Sequence, residues 1–179
     1  MNDRAPTISV RPSTGDDVAA IQAIYAYHVT HGLGSFEETP PSIEIMAERR
    51  REAFERGLPH LVAEVGGGIA GFAYTGPYRP RPAYRFTLED SVYVAPDAAH
   101  QGVGRALLSE LIRIVEVGPW RQMIAVIGDR GNSGSIALHA ALGFHEAGHL
   151  RGVGFKHGRW VDVILMQRAL GSGEDCNPD

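Results

Sequence analysis

Val94-Ala-Pro-Asp-Ala-Ala-His-Gln-Gly-Val-Gly104 leaves a β-rich stretch and runs into an apolar helix that the spacing predicts from about Arg105. Such a strand-loop-helix junction builds an anion site. With no side chain at Gly102 or Gly104 the backbone can approach a phosphate closely, and the unpaired N–H groups of the helix start face it with the positive end of the dipole. A glycine pair is weak by itself, but the nucleotide alternatives fail on their own terms. Leu107 stands where a dinucleotide fingerprint needs its third glycine, and no Gly-Lys-Ser/Thr follows for a P-loop. The loop is read as a pyrophosphate site of another kind.

Outward from the loop, the periodicities alternate. Ile8–Arg11 reads as a strand stopped by Pro12, and Thr14-x-x-Asp17 opens a helix with Val18, Ile21, Ile24, Tyr25 and His28 on one face, ended by Gly32. Ser42 caps a second helix, with Met46, Ala47 and Phe54 as its buried stripe and Arg49-Arg50-Arg51 on the wet side, up to Gly57. Gly66-Gly67-Gly68 joins Leu61–Val65 to Ile69–Tyr74 as a hairpin, and a fourth strand runs from about Tyr84 to Val94. Beyond the loop come a helix carrying Leu107, Leu108, Leu111, Ile112 and Val115, a strand over Met123–Ile127, a helix over Ser135–Leu142 and two strands around Val153 and Val161–Gln167. The expectation is one α/β domain over residues 1–170 with a sheet of mixed direction, and a disordered tail over 171–179.

Composition narrows the partners. A chain of 179 residues with 44% hydrophobic and 21% charged residues has the size and balance of one soluble globular domain. A net charge of −4 gives no basic field for nucleic acid or an anionic membrane, so a small-molecule partner fits better. The single cysteine, Cys176, excludes an intrachain disulfide, and no hydrophobic leader or membrane-length apolar run stands out, which points to the cytoplasm. His28 and His31, like His145 and His149, lack a third ligand at recognisable spacing, so no metal is expected.

Further motifs accompany the loop. Glu89-Asp90-Ser91-Val92-Tyr93-Val94 precedes it, and Asn132-Ser133-Gly134-Ser135-Ile136-Ala137-Leu138-His139-Ala140-Ala141-Leu142-Gly143-Phe144 follows an intervening helix and strand. In this order the chain resembles the GNAT superfamily of acetyl-CoA-dependent N-acyltransferases. Ser35-Phe36-Glu37-Glu38, Tyr78-Arg79-Pro80-Arg81-Pro82-Ala83-Tyr84-Arg85-Phe86 and Gly154-Phe155-Lys156-His157-Gly158-Arg159-Trp160 resemble, within it, the phosphinothricin and methionine sulfoximine N-acetyltransferase family. The resemblance spans about Ile8 to Arg168. It implies a GNAT fold: a central, mixed, mostly antiparallel sheet of about seven strands with helices on both faces. It also implies a homodimer that uses acetyl-CoA and no metal to acetylate the α-amino group of phosphinothricin, methionine sulfoximine or methionine sulfone, a resistance activity. One position differs: Ala99 replaces the Gln or Arg that usually opens the loop, with Gln101 shifted by two.

The resemblance assigns candidate roles, each with a plainer alternative. Glu89 is the general base, since alternation puts Glu89, Ser91 and Tyr93 on the face opposite Leu88, Asp90 and Val92; Asp90 competes if a bulge reverses the two. His139 occupies the place of a thiolate-protonating tyrosine, or is a structural helix histidine. Cofactor contacts fall to the backbone of Val92, Tyr93 and Val94, to His100, Gln101, Gly102, Val103, Gly104 and Arg105 of the loop, and to Asn132 and Ser135; Asn132 is alternatively a helix cap. Phe36, Arg79, Arg81, Tyr84 and Tyr93 would bind the acceptor, the arginines recognising a carboxylate and a second oxyacid group, unless they are surface charge. The rival functions are a broad amine or peptide-terminus acetyltransferase and a non-catalytic CoA-binding module.

Overall fold

The computed structural model describes residues 7–177. Seven strands form one sheet: β1 (Ile8–Pro12), β2 (His60–Val65), β3 (Gly68–Pro77), β4 (Thr87–Val94), β5 (Gln122–Gly128), β6 (His145–Lys156) and β7 (Arg159–Ala169). Their order is β1-β2-β3-β4-β5-β7-β6, and every neighbouring pair is antiparallel except β4 and β5. Four helices cover it: α1 (Val18–His31), α2 (Ile43–Glu55), α3 (Val103–Val115) and α4 (Ser133–Ala141). This is the mixed, mostly antiparallel seven-strand sheet expected from the sequence.

Local chemistry sets the joints. The Arg11 guanidinium grips Asp17 through two hydrogen bonds of 2.7 and 2.9 Å, and Asp17 accepts from the Thr14 amide at 2.6 Å, so the end of β1 and the start of α1 are tied together. The Asp17 carboxyl is held well below the usual carboxylate range by that guanidinium. Gly66 and Gly67 both have positive φ, +58° and +84°, the backbone that a two-residue hairpin turn between β2 and β3 demands.

The helices divide between the two faces. Tyr25 of α1 packs edge-on against Phe72 and Tyr93, whereas the bare α-carbon of Gly71, one residue along β3, faces Val103 and Leu107 of α3. Phe72, Leu61, Leu88, Leu107, Leu108, Leu111 and Met123 are all but inaccessible and form the centre of the core.

Several expected boundaries shift. In α2, Ala47 and Phe54 are exposed, and the buried residues are Met46 and Ala53. The i, i+4, i+7 stripe runs through Arg50, which is half-buried rather than wet because its Nε donates to Ser13 Oγ at 2.8 Å while its guanidinium lies 4.6 Å from the Phe54 ring centre. β4 begins at Thr87, not Tyr84: Pro82 presets a single 3₁₀ turn in which the Tyr84 amide bonds the Arg81 carbonyl at 3.0 Å. The helices α3 and α4 each start two residues before the positions expected. Past Leu170, which is fully buried, residues 171–177 make turns that lie beside β5 and β7, where disorder was expected.

A Cβ at Gly71 would stand 2.8 Å from the Tyr93 carbonyl oxygen and 3.0 and 3.1 Å from Val103 and Leu107. Gly71→Ala should therefore wedge α3 off the sheet and destabilise the fold by about 1–3 kcal/mol, read from denaturant unfolding; an unchanged midpoint would refute this packing.

Candidate active site

β4 and β5 pair over only four positions, Thr87↔Gln122 to Asp90↔Ala125. β4 then continues to Val94 against β3 alone and β5 to Gly128 against β7 alone, so a wedge opens in mid-sheet just past Asp90. Backbone polar groups on its inner edges, those of Val92 and Val94 among them, can take an extended ligand as an added strand would, whereas those of Tyr93 face Phe72 of β3. The Val94 carbonyl is already met by His28 Nε2 at 2.8 Å.

The loop closes the wide end of the wedge. Gly102 has φ +89° immediately before α3, and no side chain caps that helix, so its first amides are left for an anion. The loop side chains offer less. Gln101 folds back to the Asp97 carbonyl at 2.8 Å, Val103 is buried in the core, and His100 and Arg105 are exposed. Gly104 answers to packing as well, since a Cβ there would lie 3.3 Å from Leu138 and 3.5 Å from Val94. Asn132 is the cap of α4, accepting from the Ser135 amide at 3.2 Å. A long ligand ending in phosphate fits this set: strand edges for its stem, helix-start amides for its anionic end.

At the narrow end, two adjacent carboxylates point to opposite faces. The β3–β4 register runs without a shift, so Glu89, Ser91 and Tyr93 share the α1 face and Leu88, Asp90 and Val92 the α3 face. Glu89 is half-buried. Its pKa is raised, first by burial and then by the Asp90 charge, with Arg79 pulling the other way. On the same face Glu37 accepts from the Tyr25 hydroxyl at 2.9 Å and from Arg49 Nη1 at 2.7 Å, and Tyr25 meets Tyr93 edge-on at 4.9 Å. Burial pushes the Tyr25 hydroxyl up to about 12. Tyr74, opposite Ser91, is also raised by burial and feels Glu89, Glu37 and Arg49 together. Tyr25, Tyr74 and Arg49 carry no site signal in the sequence: Tyr25 falls on the apolar face of a helix and Arg49 in a basic run on a wet side.

On the other face, His139 is buried with both ring nitrogens engaged. Nδ1 lies 2.7 Å from the Ser135 carbonyl oxygen and Nε2 lies 2.9 Å from Asp90 Oδ2, while Phe144 packs edge-on at 5.0 Å. Its pKa is lowered by burial but raised more by the Asp90 hydrogen bond and charge, for a net upward shift.

The proposed acceptor residues do not all converge. The Arg79 guanidinium lies 5.0 Å from the Tyr78 ring centre, and Tyr78 meets Tyr84 edge-on at 5.7 Å, leaving Arg79 exposed and within reach of the Glu89 field. Arg81 is drawn instead, with Arg79, Arg56 and Arg85, around an open cavity of about 380 Å³ that reaches Leu88 at the start of β4 and Trp120 just before β5. Phe36 is partly exposed and lies on Gly154 of β6, where a Cβ would come within 2.7 Å of the ring. Beside it, Lys156 is buried and donates to the Ser35 carbonyl at 2.6 Å. Among the described residues no three His, Cys, Asp or Glu side chains gather as a metal site, and no helix is long and apolar enough to cross a membrane.

Known proteins resemble this chain along most of its length. The family model of the acetyltransferase (GNAT) domain matches residues 10–165. The phosphinothricin N-acetyltransferase of Alcaligenes faecalis is 57% identical over 171 residues, covering 96% of this chain and 87% of that protein. The L-methionine sulfoximine/L-methionine sulfone acetyltransferase of Pseudomonas aeruginosa is 36% identical, covering 90% and 94%. A crystal structure of a GNAT superfamily phosphinothricin acetyltransferase from Sinorhizobium meliloti in complex with AcCoA superposes with a TM-score of 0.93 at 44% identity, covering 98% of this chain and 94% of that one. With a wedge-shaped parallel pair feeding a glycine loop and a helix start, and with these relatives along nearly its whole length, the chain belongs to the GNAT acetyltransferase family.

Proposed function

We propose that residues 1–170 form one acetyltransferase domain. It acetylates the α-amino group of a small amino acid bearing a second oxyacid group, such as phosphinothricin, methionine sulfoximine or methionine sulfone. The observation that carries this reading is Glu89: a half-buried carboxylate of raised pKa at the narrow end of the wedge, with the exposed Arg79 close enough to act on it. The names of the relatives from Alcaligenes faecalis and Pseudomonas aeruginosa support the acceptor class. Acetylation of such toxic glutamate analogues would confer resistance.

Acetyl-CoA, when bound, supplies an acetyl thioester. The amides at Gly102–Arg105 would hold its pyrophosphate, with His100 and Gln101 flanking and Asn132 and Ser135 alongside. The backbone of Val92, Tyr93 and Val94 would line its stem, one amide facing the thioester oxygen. Glu89 takes a proton from the acceptor's ammonium, directly or through a water, so the amine can attack within the ternary complex. Burial raises its pKa, and activity should fall as the pH drops through it. On the α3 face, His139 gives a proton to the departing sulfur. Of the acceptor candidates Phe36, Arg79, Arg81, Tyr84 and Tyr93, Arg79 acts on Glu89 and would meet the acceptor's oxyacid group, while Arg81 lies at the cavity beside Leu88 and Trp120. In this reading the enzyme works in the cytoplasm, in keeping with a single exposed cysteine, Cys176. It pairs with a second copy through Leu150, Val153, Phe155 and Trp160, large apolar side chains exposed together on the β6–β7 hairpin.

Analytical ultracentrifugation should give twice the chain mass, reduced to one chain by Trp160→Glu; a monomeric wild type would remove the dimer. Glu89→Gln is nearly isosteric but accepts no proton, so kcat should fall roughly 10²- to 10⁴-fold with little change in CoA affinity. Near-wild-type turnover would reject Glu89 as the base. To test the acceptor, kcat/KM is compared for phosphinothricin and for a neutral amine in wild type, Arg79→Ala and Arg81→Ala. In Arg79→Ala, loss of a charged hydrogen bond to the oxyacid should lower phosphinothricin use by about ten- to a hundredfold and spare the amine, with a smaller effect in Arg81→Ala. Equal losses for both acceptors would leave an N-acetyltransferase without this acceptor preference.

A further inference from the structure

Asp90 stands at the last paired position of β4 and β5, opposite Ala125, on the face away from Glu89. Its side chain is almost fully buried, as is that of His139, and Oδ2 meets His139 Nε2 at 2.9 Å. The hydrogen-bond chemistry of this pair is constrained. The Ser135 carbonyl can only accept, so His139 Nδ1 carries a proton at 2.7 Å from it. The Nε2···Oδ2 contact then needs a second proton, because a neutral ring with Nδ1–H would turn a lone pair on Nε2 toward a carboxylate lone pair. That proton rests on Nε2, giving imidazolium and carboxylate, or on Oδ2, giving two neutral groups; either way the pair holds one proton it can release.

The surroundings do not compete for it. Thr75 of β3, the cross-strand partner of Asp90, presents a buried hydroxyl that makes no hydrogen bond, and Asp90 Oδ1 likewise has no partner among the described residues. β5 contributes Ala125, α4 contributes Ser135, and the turn after α4 contributes the edge of Phe144. Glu89, next in the chain, carries its carboxylate on the opposite face.

We propose that Asp90 is the positioning residue of His139: it fixes the ring at the narrow end of the wedge and keeps a transferable proton there for the leaving sulfur. The inference rests on the acetyl-transfer reading above. The balance is complete. Glu89 removes a proton from the ammonium on one face; the new N–C bond forms as the S–C bond breaks; the sulfur takes the proton of the Asp90–His139 pair on the other face. Glu89 then loses its proton to solvent, and the pair regains one. Asp90, adjacent in sequence to the proposed base, thus serves the proton-donor side of the reaction.

The test reads the His139 ring directly. Nitrogen-detected NMR on the ligand-free protein should show a titration midpoint above the ordinary histidine value near 6.5, and Asp90→Asn should move it below, since burial, the largest influence, is then opposed only by the Ser135 carbonyl. A donor must be protonated, so kcat should fall as pH rises through that midpoint, and in Asp90→Asn this alkaline limb should shift to lower pH together with the NMR midpoint. His139→Asn should abolish the limb, and adding Asp90→Asn to it should lower kcat no further. A wild-type midpoint at or below 6.5, or one indifferent to Asp90→Asn, overturns the proposal. So does a midpoint that moves while the kcat profile stays put, which would make the pair a brace for α4 and nothing more. Because the ring titration needs neither acetyl-CoA nor an acceptor, it judges the pair even if the acceptor class proves wrong, and the wild-type midpoint decides even if Asp90→Asn fails to fold.

Discussion

The parallel ladder between β4 and β5 ends after four residue pairs, and most of what the molecule does hangs from that ending. Each strand keeps its antiparallel neighbour along its full working length, β4 with β3 and β5 with β7, so the sheet consists of two sound halves sharing a short seam. Twist within each half carries the free ends apart. Past the seam, the backbone groups on the two inner edges have no strand partner, and an extended ligand can use them.

From this seam, one strand sorts charge by face. Consecutive residues of a β-strand point oppositely, so Glu89 feels the Asp90 charge while the two side chains stand in separate environments. The α1 face is polar and partly open, with Tyr25, Glu37, Arg49 and Tyr74 around the carboxylate. The α3 face is closed and pairs its carboxylate with an imidazole. Different protonation behaviour on the two sides thus follows from strand geometry and unequal burial, with no special backbone conformation in β4.

Much of this was legible in the sequence because it is local. The run into Gly102 and Gly104 states a strand, a tight loop and a helix start, and alternation along Thr87–Val94 states which side chains share a face. The pairing of Asp90 with His139 was not legible, since it joins residues 49 apart through the docking of α4, and no local period records that docking. Arg49 and Arg50 show the same limit. In sequence they are equivalent members of a basic run, yet a rotation of one residue about α2 sends Arg50 to Ser13 and Arg49 to Glu37. Phe54 stands outside the buried stripe, with Arg50 in the stripe position and its guanidinium over the Phe54 ring.

Lys156 is the single lysine of the chain, and it is buried with its ammonium donating to the Ser35 carbonyl. An enzyme that transfers acetyl groups to amines thereby carries no lysine amine on its folded surface to compete with its acceptor or to be consumed by stray acetyl donors. All its other basic side chains, histidines aside, are guanidinium groups, which stay protonated and are poor nucleophiles. For the same reason, an amine-reactive label finds no lysine on the native fold. The rate at which such a label reaches Lys156 is a clock for the parting of the β6–β7 hairpin from the Ser35–Phe36 loop that it holds in place.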